Sequence, residues 1–176
     1  VTAKRVYTET AIASRPVSVV SLAYRALREQ GVRKDARFLV IGAGKTHMAC
    51  ALINAMAEQG RTARYLTAMD YILAIRDTYG SEARQTSVEN EFIHPELLVI
   101  DEMQVRGETA HEDLLLIRLM DKRYQHNRAT LLISNHLSKE EFAQRIDARI
   151  MDRMNTAGGV CVVSWPSVRG RTRGLI

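Results

Sequence analysis

Gly42, Ala43, Gly44, Lys45 and Thr46 follow an apolar run, and further along Leu97-Leu98-Val99-Ile100 runs into Asp101-Glu102. A Gly-rich turn leaving a strand lets backbone N–H groups wrap a phosphate. Lys then neutralises the terminal phosphates, and the Thr hydroxyl ligates Mg²⁺. An apolar strand ending in Asp-Glu supplies the complement. Asp101 holds the metal together with Thr46, largely through water, and Glu102 orients and deprotonates an attacking water. The two segments together read as a site for ATP or ADP with Mg²⁺, with His47 extending the phosphate-facing turn.

One spacing departs from this chemistry. The phosphate loop needs Gly, four residues, then Gly-Lys-Thr, and the place of the first Gly is taken by Leu39. Three further residues between Gly42 and Ala43 restore the pattern. Either the sequence lacks three residues of an intact loop, or the loop is truly shortened and ATP binding is crippled. Retention of Lys45-Thr46, Asp101 and Glu102 together favours the first reading.

The elements that must position these residues alternate between short apolar runs and helical periods, the pattern of a parallel sheet covered by helices on both faces. Val17, Val20, Ala23, Tyr24 and Leu27 give a leading helix before Gly31. A strand at 38–41 enters the phosphate turn, and a helix over 45–59 follows, stopped by Gly60. A second strand at 63–67 precedes a helix with Met69, Ile72, Leu73, Arg76 and Tyr79 on one face. Residues 80–92 are polar and read as a mobile surface loop. A helix over 109–125 and a fourth strand at 129–134 place Asn135 at the sheet's C-terminal edge, where open α/β sheets bind ligands. Ser138 with Glu141 forms a capping box for the first of two short helices. A last strand, 160–165, follows Gly158-Gly159. One domain results: a leading segment over 1–36, then a core over 37–176 with a short basic tail.

The chain has 176 residues, 46% hydrophobic and 26% charged, an ordinary balance for a single globular core. Its apolar runs are too short to span a bilayer and no leader opens it, so no membrane role is expected. Cys50 and Cys161 sit in apolar stretches and read as buried free thiols of a reducing cytoplasm. The five His show no metal spacing. Twenty-five Lys and Arg against 20 Asp and Glu give a net charge of +5, and Arg145, Arg149, Arg153, Arg169, Arg171 and Arg173 cluster late. Such a cluster attracts polyanions or is simply a solvated face. Single-stranded nucleic acid also wants aromatic platforms, for which Tyr65, Tyr71, Tyr79 and Phe92 are the candidates.

Gly44-Lys45-Thr46-His47, the Asp101-Glu102 strand end, Ser134-Asn135, the block Ala148-Arg149-Ile150-Met151-Asp152-Arg153-Met154, and Trp165-x-Ser167-x-Arg169 come in an order that resembles DnaC-type bacterial and phage helicase loaders. These are AAA+ ATPases closely related to the DnaI and IstB-type proteins. The resemblance covers roughly residues 37 to 171 and implies a five-stranded parallel sheet of order 5-1-4-3-2. It implies ATP hydrolysis, self-association through the ATP site, a replicative hexameric DNA helicase as partner, and contact with single-stranded DNA. By the same resemblance Asn135 polarises the lytic water, Arg153 is an arginine finger inserted into a neighbouring subunit's site, and Arg169 touches the nucleotide of its own subunit. The helix starting near Thr67 resembles the extra element of loaders and initiators. The helicase-gripping N-terminal module of that family is not recognisable in residues 1–16. Two alternatives stay open: an IstB-type transposition ATPase, and an AAA+ scaffold that binds a protein partner without turning over ATP.

Overall fold

The computed structural model describes residues 37–42, 45–107, 109–136 and 138–163. The expected leading helix, Ala43, Gly44, Trp165 and Arg169 lie outside them. Five strands and six helices alternate. In chain order they are β1 (Arg37–Gly42), α1 (Lys45–Glu58), β2 (Ala63–Thr67), α2 (Ala68–Arg76), α3 (Glu82–Ile93), β3 (Leu97–Asp101), α4 (Ala110–Gln125), β4 (Ala129–Ser134), α5 (Lys139–Gln144), α6 (Ala148–Ala157) and β5 (Gly158–Val163). The sheet order is β2-β3-β4-β1-β5, and every neighbouring pair is parallel.

Side chains on a strand point alternately to opposite faces, and the two central strands divide their residues accordingly. Leu98, Ile100 and Leu132 join the larger cluster with residues of α2 to α6. Leu97, Val99, Leu131 and Ile133 pack on Ala49, Leu52 and Met56 of α1. Every residue of β3 and β4 is buried, as expected for a parallel sheet covered on both faces. Polar chemistry is therefore confined to the strand ends. Parallel register brings the C-terminal ends of β1, β3 and β4 side by side, with Ile41 opposite Ser134 and Thr67 opposite Asp101.

Four expectations need correction. Residues 82–93 form the helix α3 where a loop was expected. Ser81 caps it by accepting from the Arg84 N–H at 3.4 Å, and its buried side consists of Glu89, Phe92 and Ile93. Glu89 accepts from Arg118 and Lys122 of α4, both at 3.0 Å. This helix is thus seated by ion pairs over a small apolar contact, and hydrophobic periodicity does not report it. On α2 the buried stripe is Ala68, Tyr71, Ile72 and Ile75, whereas Leu73 and Tyr79 are exposed. Cys50 is exposed as well, because Ala49, Leu52 and Met56 define the inward face of α1 and its neighbour turns away. The last strand starts at Gly158.

Arg123 fixes the opposite end of the sheet. Its side chain has no solvent exposure. It donates to the carbonyls of Phe92 (2.7 Å), Ile93 (2.9 Å) and Pro95 (3.1 Å), to the Thr130 hydroxyl (2.9 Å), and to the Ala129 carbonyl. One guanidinium thereby ties α4 to the turn before β3 and to the start of β4. Arg123→Ala leaves these buried acceptors unmatched and is expected to destabilise the fold by about 3–5 kcal/mol in urea unfolding. A loss below about 1 kcal/mol would mean that water already satisfies them.

Candidate functional site

Thr46, in the first turn of α1, donates its hydroxyl to Asp101 Oδ2 at 3.2 Å. Asp101 ends an apolar strand and is 5% exposed, so its carboxylate needs donors. It takes two more: the Tyr65 hydroxyl to Oδ2 at 2.7 Å and the Glu102 N–H to Oδ1 at 2.6 Å. Three elements, α1, β2 and the turn after β3, thus meet on one acid. A carboxylate beside a hydroxyl at a helix N-terminus is the oxygen donor set that suits Mg²⁺, which retains waters and phosphate oxygens in the rest of its shell. Among the described residues no group of three or more His, Cys, Asp or Glu could hold a metal by itself.

Glu102 follows with φ +54°, a left-handed conformation that a residue other than Gly or Asn adopts at a cost of about 1–2 kcal/mol. The turn is held by Val105 N–H to the Glu102 carbonyl (2.8 Å) and Met103 N–H to the Ile133 carbonyl (3.1 Å). It leaves the Glu102 side chain exposed at the sheet edge, where it can meet a water.

Asn135 is exposed at the end of β4, and Gln104 anchors its backbone. Gln104 Oε1 accepts from the Asn135 N–H at 3.1 Å and from the Ser134 hydroxyl at 3.3 Å. Behind it, Ser134 Oγ lies 2.5 Å from His136 Nδ1. Gln104 thus joins the turn after the acid to the strand carrying Asn135.

The structure brings Thr46, Asp101, Glu102 and Asn135 to one edge, with Gly42 ending β1 there. Lys45 opens α1 beside them; the His47 side chain, Ala43, Gly44 and Arg169 lie outside what is described. Arg153 belongs to a different group. It donates to Asp121 of α4 at 2.9 Å and to Asp152 at 3.3 Å, and stacks over Tyr124 at 4.8 Å. The Asp121 hydrogen bond holds its guanidinium above the ordinary range. Arg149 is matched by Asp147 at 3.0 Å, so neither charge of this helix stands alone. Among the expected stacking platforms, Tyr71 and Phe92 are buried and pack edge to face at 5.3 Å; α3 turns Phe92 inward. Tyr65 and Tyr79 remain exposed.

Residues 32–174 match the family described as IstB-like ATP binding protein. The chain belongs to this family. Within the IstB-like ATP binding proteins and their relatives, the chain is 31% identical over 135 residues to the replicative helicase loader DnaC of Escherichia coli (strain K12), covering 76% of this chain and 55% of that protein. It is 32% identical over 129 residues to the uncharacterized protein YdaV of the same strain, covering 73% of this chain and 52% of YdaV. The chain therefore spans about half the length of the curated relatives it matches. Among solved structures, the DnaC helicase loader superposes with a TM-score of 0.70 at 18% identity, covering 92% of this chain and all of that one. The replication initiator DnaA bound to AMPPCP and single-stranded DNA gives 0.66 at 18% identity over 85% of this chain and 47% of that one. These likenesses show a shared α/β fold, a parallel sheet with helices on both faces. Among the described residues no helix is long and apolar enough to cross a membrane.

Tyr65 is the site residue that sequence reasoning missed, having been read only as a stacking platform. Although the residue as a whole is 40% exposed, desolvation of the hydroxyl end where it meets Asp101, reinforced by the hydrogen bond to that carboxylate, pushes its phenol well above the ordinary tyrosine range. A raised phenol pKa stabilises the fold fully below about pH 10, the ordinary value, and that contribution fades as pH rises through the folded value. Alkaline absorbance titration should therefore show one fewer late-ionising phenol in Tyr65→Phe. The variant should also lose about 1 kcal/mol of stability at neutral pH, measured by urea unfolding, because Asp101 loses a donor. An unchanged titration would break the Tyr65–Asp101 assignment.

Proposed function

We propose that this chain is the ATP-binding and ATP-hydrolysing core of a helicase loader, one that assists placement of a replicative hexameric DNA helicase on single-stranded DNA. The observation that carries the reading is the Thr46 hydroxyl on the buried Asp101, beside an exposed Glu102 held in a left-handed turn. Lys45 and the backbone of Gly42, Ala43, Gly44 and His47 cradle the phosphates. Thr46 and Asp101 hold Mg²⁺, whose bound charge offsets that of the phosphates. Glu102 takes the proton of the attacking water, and Asn135, set by Gln104, orients it. The identity to DnaC, the AAA+ fold and the sheet order β2-β3-β4-β1-β5 all support this reading.

We place the ATPase core at 37–176, with 1–36 leading into it, and the protein in the cytoplasm. ATP favours association of copies, with Arg153 entering the neighbour's site and Arg169 touching the nucleotide of its own. Contact with DNA runs through backbone phosphates, since only two aromatic platforms are exposed among the described residues. The shortened Gly42–Lys45 spacing favours a second reading, a scaffold that has lost turnover. An IstB-type transposition helper is the alternative function, supported only by the match to the IstB-like ATP binding family.

Lys45→Ala is expected to abolish ATP binding in equilibrium titration, whereas Glu102→Gln keeps binding and loses hydrolysis by about a hundredfold or more. A wild-type chain that binds no ATP would overturn the enzyme reading in favour of the scaffold. Equal affinity in wild type and Lys45→Ala would overturn the site.

Arg153 is tested by mixing. Arg153→Ala and Glu102→Gln chains should each be nearly inactive alone. Together they should regain roughly a quarter of the ATPase rate, because random interfaces then join an intact Glu102 to an intact Arg153. No recovery despite co-assembly would show that Arg153 does not act across the interface.

A further inference from the structure

Arg106 lies four residues beyond Glu102, and its side chain is 2% exposed. A guanidinium that deep must be fully matched, and three partners from three places match it. Nε donates to the Met103 carbonyl at 3.0 Å, within the turn that follows the acid. One Nη pairs with Asp113 in the first turn of α4. The other donates at 2.9 Å to the carbonyl of Arg145, the residue that caps the end of α5. From Arg145 the chain runs directly into α6, the helix that carries Arg153.

The neighbouring contacts restrict the same turn. Gln104 binds the Ser134 hydroxyl and the Asn135 N–H. A Cβ on Gly107 would lie 3.1 Å from both carboxylate oxygens of the buried Glu112, so a larger residue here fits only if that carboxylate gives by a few tenths of an ångström. Glu112 in turn accepts from Arg76 of α2 at 3.0 Å. Residues 102–107 are therefore tied to β4, to α4 and to the α5–α6 junction at once. α6 has few other ways to move independently, since Ile150, Met151 and Met154 share a buried cluster with Leu115, Leu116 and Leu119 of α4.

From this arrangement we infer that Arg106 is a positioning residue: its planar fork couples the turn that presents Glu102 to the helix that presents Arg153. The two groups act at different nucleotide sites, Glu102 in its own subunit and Arg153 in the neighbour's, so a fixed link within one chain transmits the state of one site to the next. The inference rests on the ATPase reading above. Lys cannot replace the residue, because one ammonium cannot reach three acceptors in the plane that guanidinium serves.

The test compares wild type with Arg106→Ala and Arg106→Lys in the full chain. ATP affinity should stay within about threefold, because no contact of Arg106 is to the phosphate cradle, whereas kcat should fall by about ten- to a hundredfold through misplacement of the reacting groups. Amide hydrogen exchange, read without ATP, should speed up both in 102–105 and in 148–154 while α1 and β4 stay protected. Faster exchange in 102–105 alone, or unchanged kcat in both variants, would overturn the coupling and leave Arg106 a local brace. Should Arg106→Ala fail to fold, Arg106→Lys is read by the same two measurements. If wild type itself hydrolyses no ATP, the ATPase reading fails, while the exchange result still decides whether the turn and α6 are mechanically joined.

Discussion

A carboxylate at the end of a fully buried strand is the constraint on which the rest of the site depends. An uncompensated charge there would cost several kcal/mol, whereas each hydrogen bond to a charged group contributes about 1.5–3 kcal/mol. Asp101 is matched by Thr46, Tyr65 and the Glu102 N–H. Those donors set where α1 begins, how β2 lies beside β3, and how the chain leaves β3. The left-handed φ of Glu102 follows, because the turn that returns its N–H to Asp101 also sends its side chain away from the core and out to water. Strain in this turn and exposure of the acid are thus one geometric consequence.

Most of the frame was legible from residue order. β3 and β4 read as continuous apolar runs because both faces of the sheet are covered, and α1 and α4 show helical spacing over three or more turns. Asp101 and Glu102 were legible because a charge ending such a run has few structural uses. α3 was not, since its seat is Glu89 between Arg118 and Lys122, and ion pairs leave no hydrophobic period. Tyr65 was not legible either. Its role depends on the register that sets Tyr65 against Val99 and Thr67 against Asp101, a fact of pairing rather than of residue type. Gln104 and Arg106 were not legible, because their partners lie some thirty to forty residues away in sequence.

Net charge was the least reliable guide. The chain carries +5, yet Arg106, Arg118, Arg149 and Arg153 are each engaged with a carboxylate, and Arg123 donates to backbone carbonyls and the Thr130 hydroxyl. Basic residues in this fold act first as connectors between helices and strand ends. Any attraction for a polyanion must come from what those contacts leave over, and its strength will fall with salt.

Arg153 shows how such a connector could also serve a neighbour. Its partner Asp121 is 38% exposed and its second partner Asp152 more so, so solvent screens these pairs and they hold the guanidinium weakly. A triphosphate offers more negative charge and several acceptor oxygens, and a guanidinium binds phosphate oxygens in a fork. Under the proposed function, a neighbour's nucleotide would compete with Asp121 for this guanidinium once two copies meet. Under the proposed arrangement that exchange ties ATP binding to association, and linkage makes the effect reciprocal: if ATP strengthens contact between copies by some factor, contact must strengthen ATP binding by the same factor. On that reading an isolated copy would hold nucleotide less tightly than an assembled one, and loss of the terminal phosphate would remove the acceptor that drew Arg153 from Asp121. Hydrolysis would return the arginine to its own chain and loosen the assembly without any other part of the fold having to change.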